Sequence, residues 1–407
     1  MKTKAHLIAP CAVFTLLLSA ASLTAADWPH WVGPNGDNIA PTSDKVDLDL
    51  SKWQVKWTTN VGFGYSAVAV AGGRACTVGH DGKSNETVFC FDAATGAPVW
   101  QHAYPAQLMS LMHPGGPNAT PTFSGGKVFS LSKDGQVFCL SADSGAVLWT
   151  TNLTEVMGVK LPRWGFASSP VVLDGKVLFS AGKVAAFDMN SGALAWLSQT
   201  ANPPGYTTPV VFSKDGREFV ADLHARGLTV VAAKDGTEIA AHPFKSQFDV
   251  TAPTPMVSAD GSRILIAGNA SAELLSFDGK ALSAVWSSTD LKNSLNNSVR
   301  YGSDLYGIDG GQDSPAARFV CVNWDDGKLR WAKDSFGYGT VIGIGKDALL
   351  SLTESGELVA IKASPGAYSE ISRKQVLGKK CWTTPVFAEN RIYVRNDRGD
   401  VACLAKD

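Results

Sequence analysis

VFCFDAATGAPVW (88–100), VFCLSADSGAVLW (137–149), VAAFDMNSGALAW (184–196) and FVCVNWDDGKLRW (319–331) are four copies of one pattern. Each has a run of strand-forming residues, a turn ending in Gly, and a Trp four residues beyond that Gly. Looser copies stand at LTVVAAKDGTEIA (228–240), LLSFDGKALSAVW (274–286), LVAIKASPGAYSE (358–370) and VACLAKD (401–407), which makes eight. With the small residue before the turn as marker, the copies fall at 90, 139, 186, 230, 276, 321, 360 and 403, about 45 residues apart.

A hairpin signal lies upstream of these copies. SPVVLDGKVLFS (169–180) has two β-rich runs joined by Asp174-Gly175, and TPTFSGGKVFSLS (120–132) and TPVFAENRIYVRN (384–396) repeat it. Two hairpin strands, the marker strand and a fourth strand carrying the Trp give four strands per period. That is the period of a propeller blade. The expected fold is all-β: an eight-bladed β-propeller over 51–407, after an N-terminal extension at 27–50. The last copy ends after its third strand, whereas VKWTTN (55–60) matches VLWTTN (147–152), the fourth strand of a blade. An N-terminal strand is therefore expected to complete the C-terminal blade and close the ring, leaving no open sheet edge.

The recurrent Trp57, Trp100, Trp149, Trp196, Trp286 and Trp331 read as core packing between blades. Cys90, Cys139, Cys321 and Cys403 share the marker position with Ala186, Val230, Ser276 and Ala360, so they read as small buried residues. A bridge between Cys76 and Cys90, on adjacent strands, stays open at this point.

Residues 1–26 read as a secretory signal peptide. Lys2 and Lys4 precede the apolar run Ala12 to Leu18, and Thr24-Ala25-Ala26 forms a cleavage site. No later window is long and apolar enough to span a membrane, so no spanning segment is expected. Without Lys2 and Lys4 the formal charge is about −3, which disfavours nucleic acid as a partner.

The D-x-x-T/S-G-x-x-x-W element resembles the tryptophan-docking repeat of the pyrroloquinoline-quinone (PQQ)-dependent alcohol dehydrogenases. It is equally similar to that of their non-enzymatic relative in outer-membrane β-barrel assembly. DWPHWVGPNGDN (27–38), HPGGPNATPTF (113–123), PRWGFASSPVV (162–172) and SDLYGIDG (303–310) resemble exported bacterial PQQ-like propellers. The resemblance implies a chain of the periplasm or cell surface of a Gram-negative-type bacterium, acting as a monomer on an envelope protein or glycan. Its enzymes carry a vicinal Cys-Cys pair, a catalytic Asp and a Ca²⁺ beside PQQ. This chain has no Cys-Cys pair, and its inner-strand loops offer few carboxylates, chiefly Glu155 and Asp249.

No GxSxG, GxxxxGK[ST] or HExxH motif occurs, and the His residues lack metal-ligand spacing. The expectation is a non-catalytic binding scaffold without a cofactor, the alternative being a PQQ-dependent oxidoreductase of alcohols or sugars. Polar and aromatic residues recur where loops enter the innermost strands: Tyr65, Ser66, His113, Asn118, Arg163, Trp164, Ser168, Tyr206 and Thr207. The series continues through Thr251, Asn297, Arg300, Tyr338, Trp382 and Thr383. With the blades aligned, these side chains are expected to converge on one mouth of the central channel and bind a partner there.

Overall fold

Eight antiparallel blades of four strands, one of them extended by a short parallel fifth strand, follow one another around a ring in the computed structural model, which describes residues 26–43 and 45–406. The signal-peptide reading lies, but for Ala26, outside the described residues. Blade 1 runs over 69–105, blade 2 over 122–152, blade 3 over 171–197 and blade 4 over 210–243. Blade 5 runs over 256–288, blade 6 over 299–333, blade 7 over 339–375 and blade 8 over 386–406. Within each blade the innermost strand comes first. Its hairpin turn often needs positive φ at both positions, as at Asp174-Gly175 (45° and 73°) and Gly125-Gly126 (55° and 73°).

Blade 8 is completed from the other end of the chain. Trp53–Asn60 pairs antiparallel with Asp400–Lys406, with Trp57 opposite Cys403, as the matching WTTN segments predict.

The repeat has a structural logic that joins each blade to the next. In blades 1, 2, 3 and 6 the marker stands directly opposite the Trp: Cys90 by Trp100, Cys139 by Trp149, Ala186 by Trp196, Cys321 by Trp331. The indole then crosses to the following blade and covers the glycine of its turn. A Cβ on Gly96, Gly145, Gly192 or Gly236 would come within 2.5–2.6 Å of the ring of Trp57, Trp100, Trp149 or Trp196. Those glycines also hold φ near +70°, so both backbone and neighbour demand them. Five of the six indole N–H groups donate to a carbonyl of that next turn, for example Trp57 to Ala93 at 3.1 Å and Trp100 to Ala142 at 2.8 Å.

Blade 5 departs from the alignment read in sequence. The residue opposite Trp286 is Leu274, not Ser276, because the third and fourth strands of this blade pair for two more positions, up to Phe277 opposite Leu282, before a tighter turn. The pairing of Cys76 and Cys90, left open by the sequence, is resolved here. The two face each other in register, yet both are buried free thiols, as are Cys139, Cys321, Cys381 and Cys403.

Residues 27–40, read only as an extension, form a hairpin inside the central channel. Trp28 exchanges two 2.8 Å backbone bonds with Val70 on the inner strand of blade 1, and Pro29 accepts from Phe123 of blade 2. Trp31 donates to Thr254, just ahead of blade 5, at 2.8 Å. The chain turns back through Gly33 and Gly36, and Ile39–Ala40 then pairs parallel to the inner strand of blade 7. Contacts to blades 1, 2, 5 and 7 place this hairpin between opposite walls. It plugs the channel. Thr42, Ser43 and residues 45–48 lie beneath blade 7, on the face opposite the loops that enter the inner strands. No helix among the described residues is long and apolar enough to cross a membrane.

Candidate binding site at the propeller mouth

The loops that enter the inner strands, together with the turns between second and third strands, enclose a cavity of about 730 Å³. Trp31, at the tip of the inserted hairpin, lines it from the channel side, so the mouth is a blind funnel.

Two aromatic groups form its walls. On one side Tyr65 stacks on Trp382 (centroids 5.5 Å apart, 20° between planes), and His113 meets Trp382 edge-on at 4.6 Å. The Trp382 indole N–H donates to the Glu354 carboxylate, and Lys380 sits 5.2 Å over the ring. On the other side Trp164 meets Tyr206 edge-on at 5.7 Å, under the Arg163 guanidinium at 5.0 Å. Asn118 reaches from its loop to the Trp164 carbonyl, tying neighbouring loops together at 3.2 Å.

Large apolar side chains stand in solvent around the rim: Leu111 is 54% exposed, Met112 76% and Phe248 87%. Phe248 holds φ 59° and ψ 21°, and Asp249 follows at φ 57°. Two adjacent non-glycine residues in the left-handed region, one aromatic and exposed, are strained, and such strain collects at functional sites.

Lys133 lines the wall although it is only 2% exposed. Its Nζ donates to the Gly116 carbonyl at 2.7 Å, and burial pulls its pKa down to about 8. The neighbouring Glu86 carboxyl, fully buried, is pushed up to about 7 by the same desolvation, while Tyr104 O–H and the Lys133 backbone N–H oppose the shift.

Tyr65, His113, Asn118, Arg163, Trp164, Tyr206, Trp382 and Thr383 are brought together at this cavity. Ser66, Ser168, Thr207, Thr251, Asn297, Arg300 and Tyr338 lie outside its lining. Most of them serve the backbone. Ser66 Oγ accepts from the Val78 N–H, Ser168 Oγ from Ser180, Asn297 Oδ1 from Thr254, and Tyr338 O–H from Leu295. Thr207 donates to the Leu223 carbonyl at 2.6 Å, and Thr251 is fully buried. Arg300 is the clearest correction. It stacks 4.0 Å over Trp324 and bonds the Gly302 carbonyl in the hairpin turn at the far end of its inner strand. Five lining residues were missed. Leu111, Met112 and Phe248 lie in loops of the expected kind but are apolar and outside the recurrent series read there, whereas Trp31 on the inserted hairpin and Lys133 on a second-to-third-strand turn fall outside those loops altogether. The SKDG turn at 132–135 has the same turn chemistry as the hairpins and reaches the same mouth.

A ring of tryptophan-docked blades around a plugged channel defines a propeller of the PQQ-like repeat class. The chain belongs to the family described as outer membrane protein assembly factor BamB, whose pattern matches residues 84–333. It is 32% identical over 167 residues to the BamB of Yersinia pestis, covering 39% of each chain. It is 29% identical over 89 residues to the lanthanide-dependent methanol dehydrogenase of Methylacidiphilum fumariolicum, across 20% of this chain and 14% of that one. The matches thus span well under two thirds of either relative. By fold, the chain is similar to BamB from Moraxella catarrhalis (TM-score 0.61, 17% identity, 87% of this chain and 97% of that). It is similar also to a europium-containing methanol dehydrogenase (TM-score 0.70, 12% identity, 93% and 98%).

The family includes quinone enzymes, which gives a chemical test of the cavity. A hard cation beside a quinone asks for several convergent oxygens. Among the described residues Asp313 is the single carboxylate lining the cavity, and it is ion-paired with Lys380. Among the described residues no group of three or more His, Cys, Asp or Glu is placed to hold a metal. The residues present do not fit a calcium–quinone pair.

Proposed function

We propose that this chain is an exported, non-catalytic propeller of the cell envelope that holds a polypeptide partner in its mouth, without a cofactor. The observation that carries the reading is the rim: exposed Leu111 and Met112 and the strained, exposed Phe248 surround an aromatic cavity. Exposed apolar residues clustered around aromatic and Arg side chains mark protein interfaces. The resemblance to BamB, an assembly factor of the outer membrane by name, supports a protein partner in the envelope over a glycan.

The test is a photo-crosslinking residue placed at position 248 or 112 in living cells, with Val55, exposed on the rim of blade 8, as control. A discrete adduct with one envelope protein from 248 and 112 but not from 55 is the expected result. Combined Arg163, Trp164 and Trp382 alanine substitution should abolish it while the chain stays folded. In parallel, purified protein is offered PQQ, Ca²⁺ and a dye acceptor with alcohols and sugars. Stoichiometric PQQ uptake with turnover would replace the scaffold reading by that of an oxidoreductase.

A further inference from the structure

The wall of the mouth between blades 2 and 3 holds more positive charge and more unmet donors than a purely apolar site requires. An ammonium carries three N–H donors. Lys133 spends one on Gly116 and, among the described residues, has no carboxylate within ion-pair distance; Glu86 is engaged by the Lys133 backbone N–H instead. Trp164, beside it in the cavity lining, has a buried indole N–H with no acceptor among the described residues. The Arg163 guanidinium lies over that indole and also forms no ion pair among the described residues.

The backbone is shaped to keep the lysine there. A Cβ on Gly165 would come to 2.0 Å from Lys133 Cγ, and the Phe166 N–H donates to the Lys133 carbonyl at 2.9 Å. The surplus is confined to the cavity lining, since the chain as a whole has a formal charge of −1 and the Glu86 and Asp134 carboxylates attract Lys133 from outside that lining. The one acidic group lining the cavity, Asp313, is already neutralised by Lys380.

From this geometry we infer that Lys133, Arg163 and the Trp164 indole N–H form a carboxylate subsite, so that the polypeptide held in the mouth presents an Asp or Glu beside an aromatic or large aliphatic residue. The inference rests on the mouth being a polypeptide site and names the chemistry of what enters it. Desolvation of an ammonium without a direct ion-pair partner is costly, and a carboxylate delivered by the partner supplies a close counter-charge and the missing acceptors. Trp164 and Tyr206 offer the adjacent apolar face. Burial lowers the Lys133 pKa against the attraction of the Glu86 and Asp134 carboxylates, as expected of an amine with no direct ion-pair partner in the free chain.

A random peptide library displayed on phage, selected against the intact immobilised protein, tests this. Enrichment of Asp or Glu next to aromatic or large aliphatic residues is expected. In synthetic copies of a selected peptide, acid-to-amide exchange should weaken binding by roughly tenfold or more, the usual worth of a charge-assisted hydrogen bond. Lys133→Met, with fold checked by circular dichroism, should erase that difference while retaining the aromatic preference. If the buried substitution unfolds the chain, exposed Arg163→Gln and the peptide pair carry the same comparison. Selected peptides without acidic preference would sink the carboxylate subsite and leave the polypeptide reading standing. Recovery of no peptide, or binding only on a glycan array, would sink both.

Discussion

At the scale of single residues, stability is concentrated where the Trp of one blade meets the glycine of the next. Trp149 lies against Gly192, is 9% exposed, and donates to the Met189 carbonyl at 3.2 Å. Trp149→Ala should cost roughly 3–5 kcal/mol, as truncation of large core aromatics does. Gly192→Ala should also destabilise, through both its φ of 71° and the clash with the ring. In the Trp149→Ala background that second cost should shrink, because only the φ penalty remains. Chemical denaturation of the two single variants and the double variant measures the coupling, and additive effects would mean that ring and glycine do not meet.

The buried carboxyls give a second residue-scale expectation. Burial pushes Glu86 up to about 7 and Asp222 to about 6. These two carboxyls therefore keep, in the folded chain, protons that the unfolded chain releases near pH 4, so the stability they contribute is lost as pH rises from about 4 through 7. Glu86→Gln and Asp222→Asn should each flatten this slope and raise Tm at pH 8 relative to the parent. An unchanged difference in Tm between pH 5 and pH 8 would show that these groups ionise normally in the folded chain.

Among the elements, the channel hairpin is the one with most to reveal. Four amides of inner-strand segments find their acceptors on it or beside it: Val70 on Trp28, Phe123 on Pro29, Gly343 on Asn38 and Gly345 on Ala40. Deleting 27–40 leaves those N–H groups without partners and opens the cavity floor at Trp31. Hydrogen exchange should quicken at these four amides in blades 1, 2 and 7, while the inner strand of blade 3 (Val171–Leu173) keeps its protection. Uniform quickening around the ring would mean instead that the hairpin supports the whole fold. The rim loops are elements of the opposite kind. They carry exposed Met112 and Phe248 on strained or irregular backbone, held by the rigid blades beneath.

For the whole molecule, closure is the decisive feature. Trp53–Asn60 is the outer strand of blade 8, and Trp57 docks on the turn of blade 1 at Gly96. Deleting 51–59 removes the outer strand of one blade and the contact that joins it to the next. A single cooperative thermal transition should give way to a lower, broadened one, followed by circular dichroism. An unaltered transition would overturn the closed-ring topology.

Sequence by itself determined the blade count, the four-stranded unit, the docking Trp and the ring closure, because each is a local pattern repeated at a fixed period. Cys90, Cys139 and Ala186 are small for a reason visible in one strand: each stands opposite a Trp. The period fails where a hairpin lengthens, as in blade 5, since two further strand pairs before the turn leave the hydrophobic pattern intact but move the marker from Ser276 to Leu274. The mouth is legible only in part. Tyr65, Arg163, Trp164, Tyr206 and Trp382 repeat at the loops that enter the inner strands, so a periodic reading finds them. Trp31 and Lys133 belong to no such series, and Arg300 belongs to it in sequence but points elsewhere. Only the closed ring decides these, because a channel and its mouth are made of residues far apart in the chain. Their neighbours are set by the curvature of eight packed blades, which no single repeat encodes.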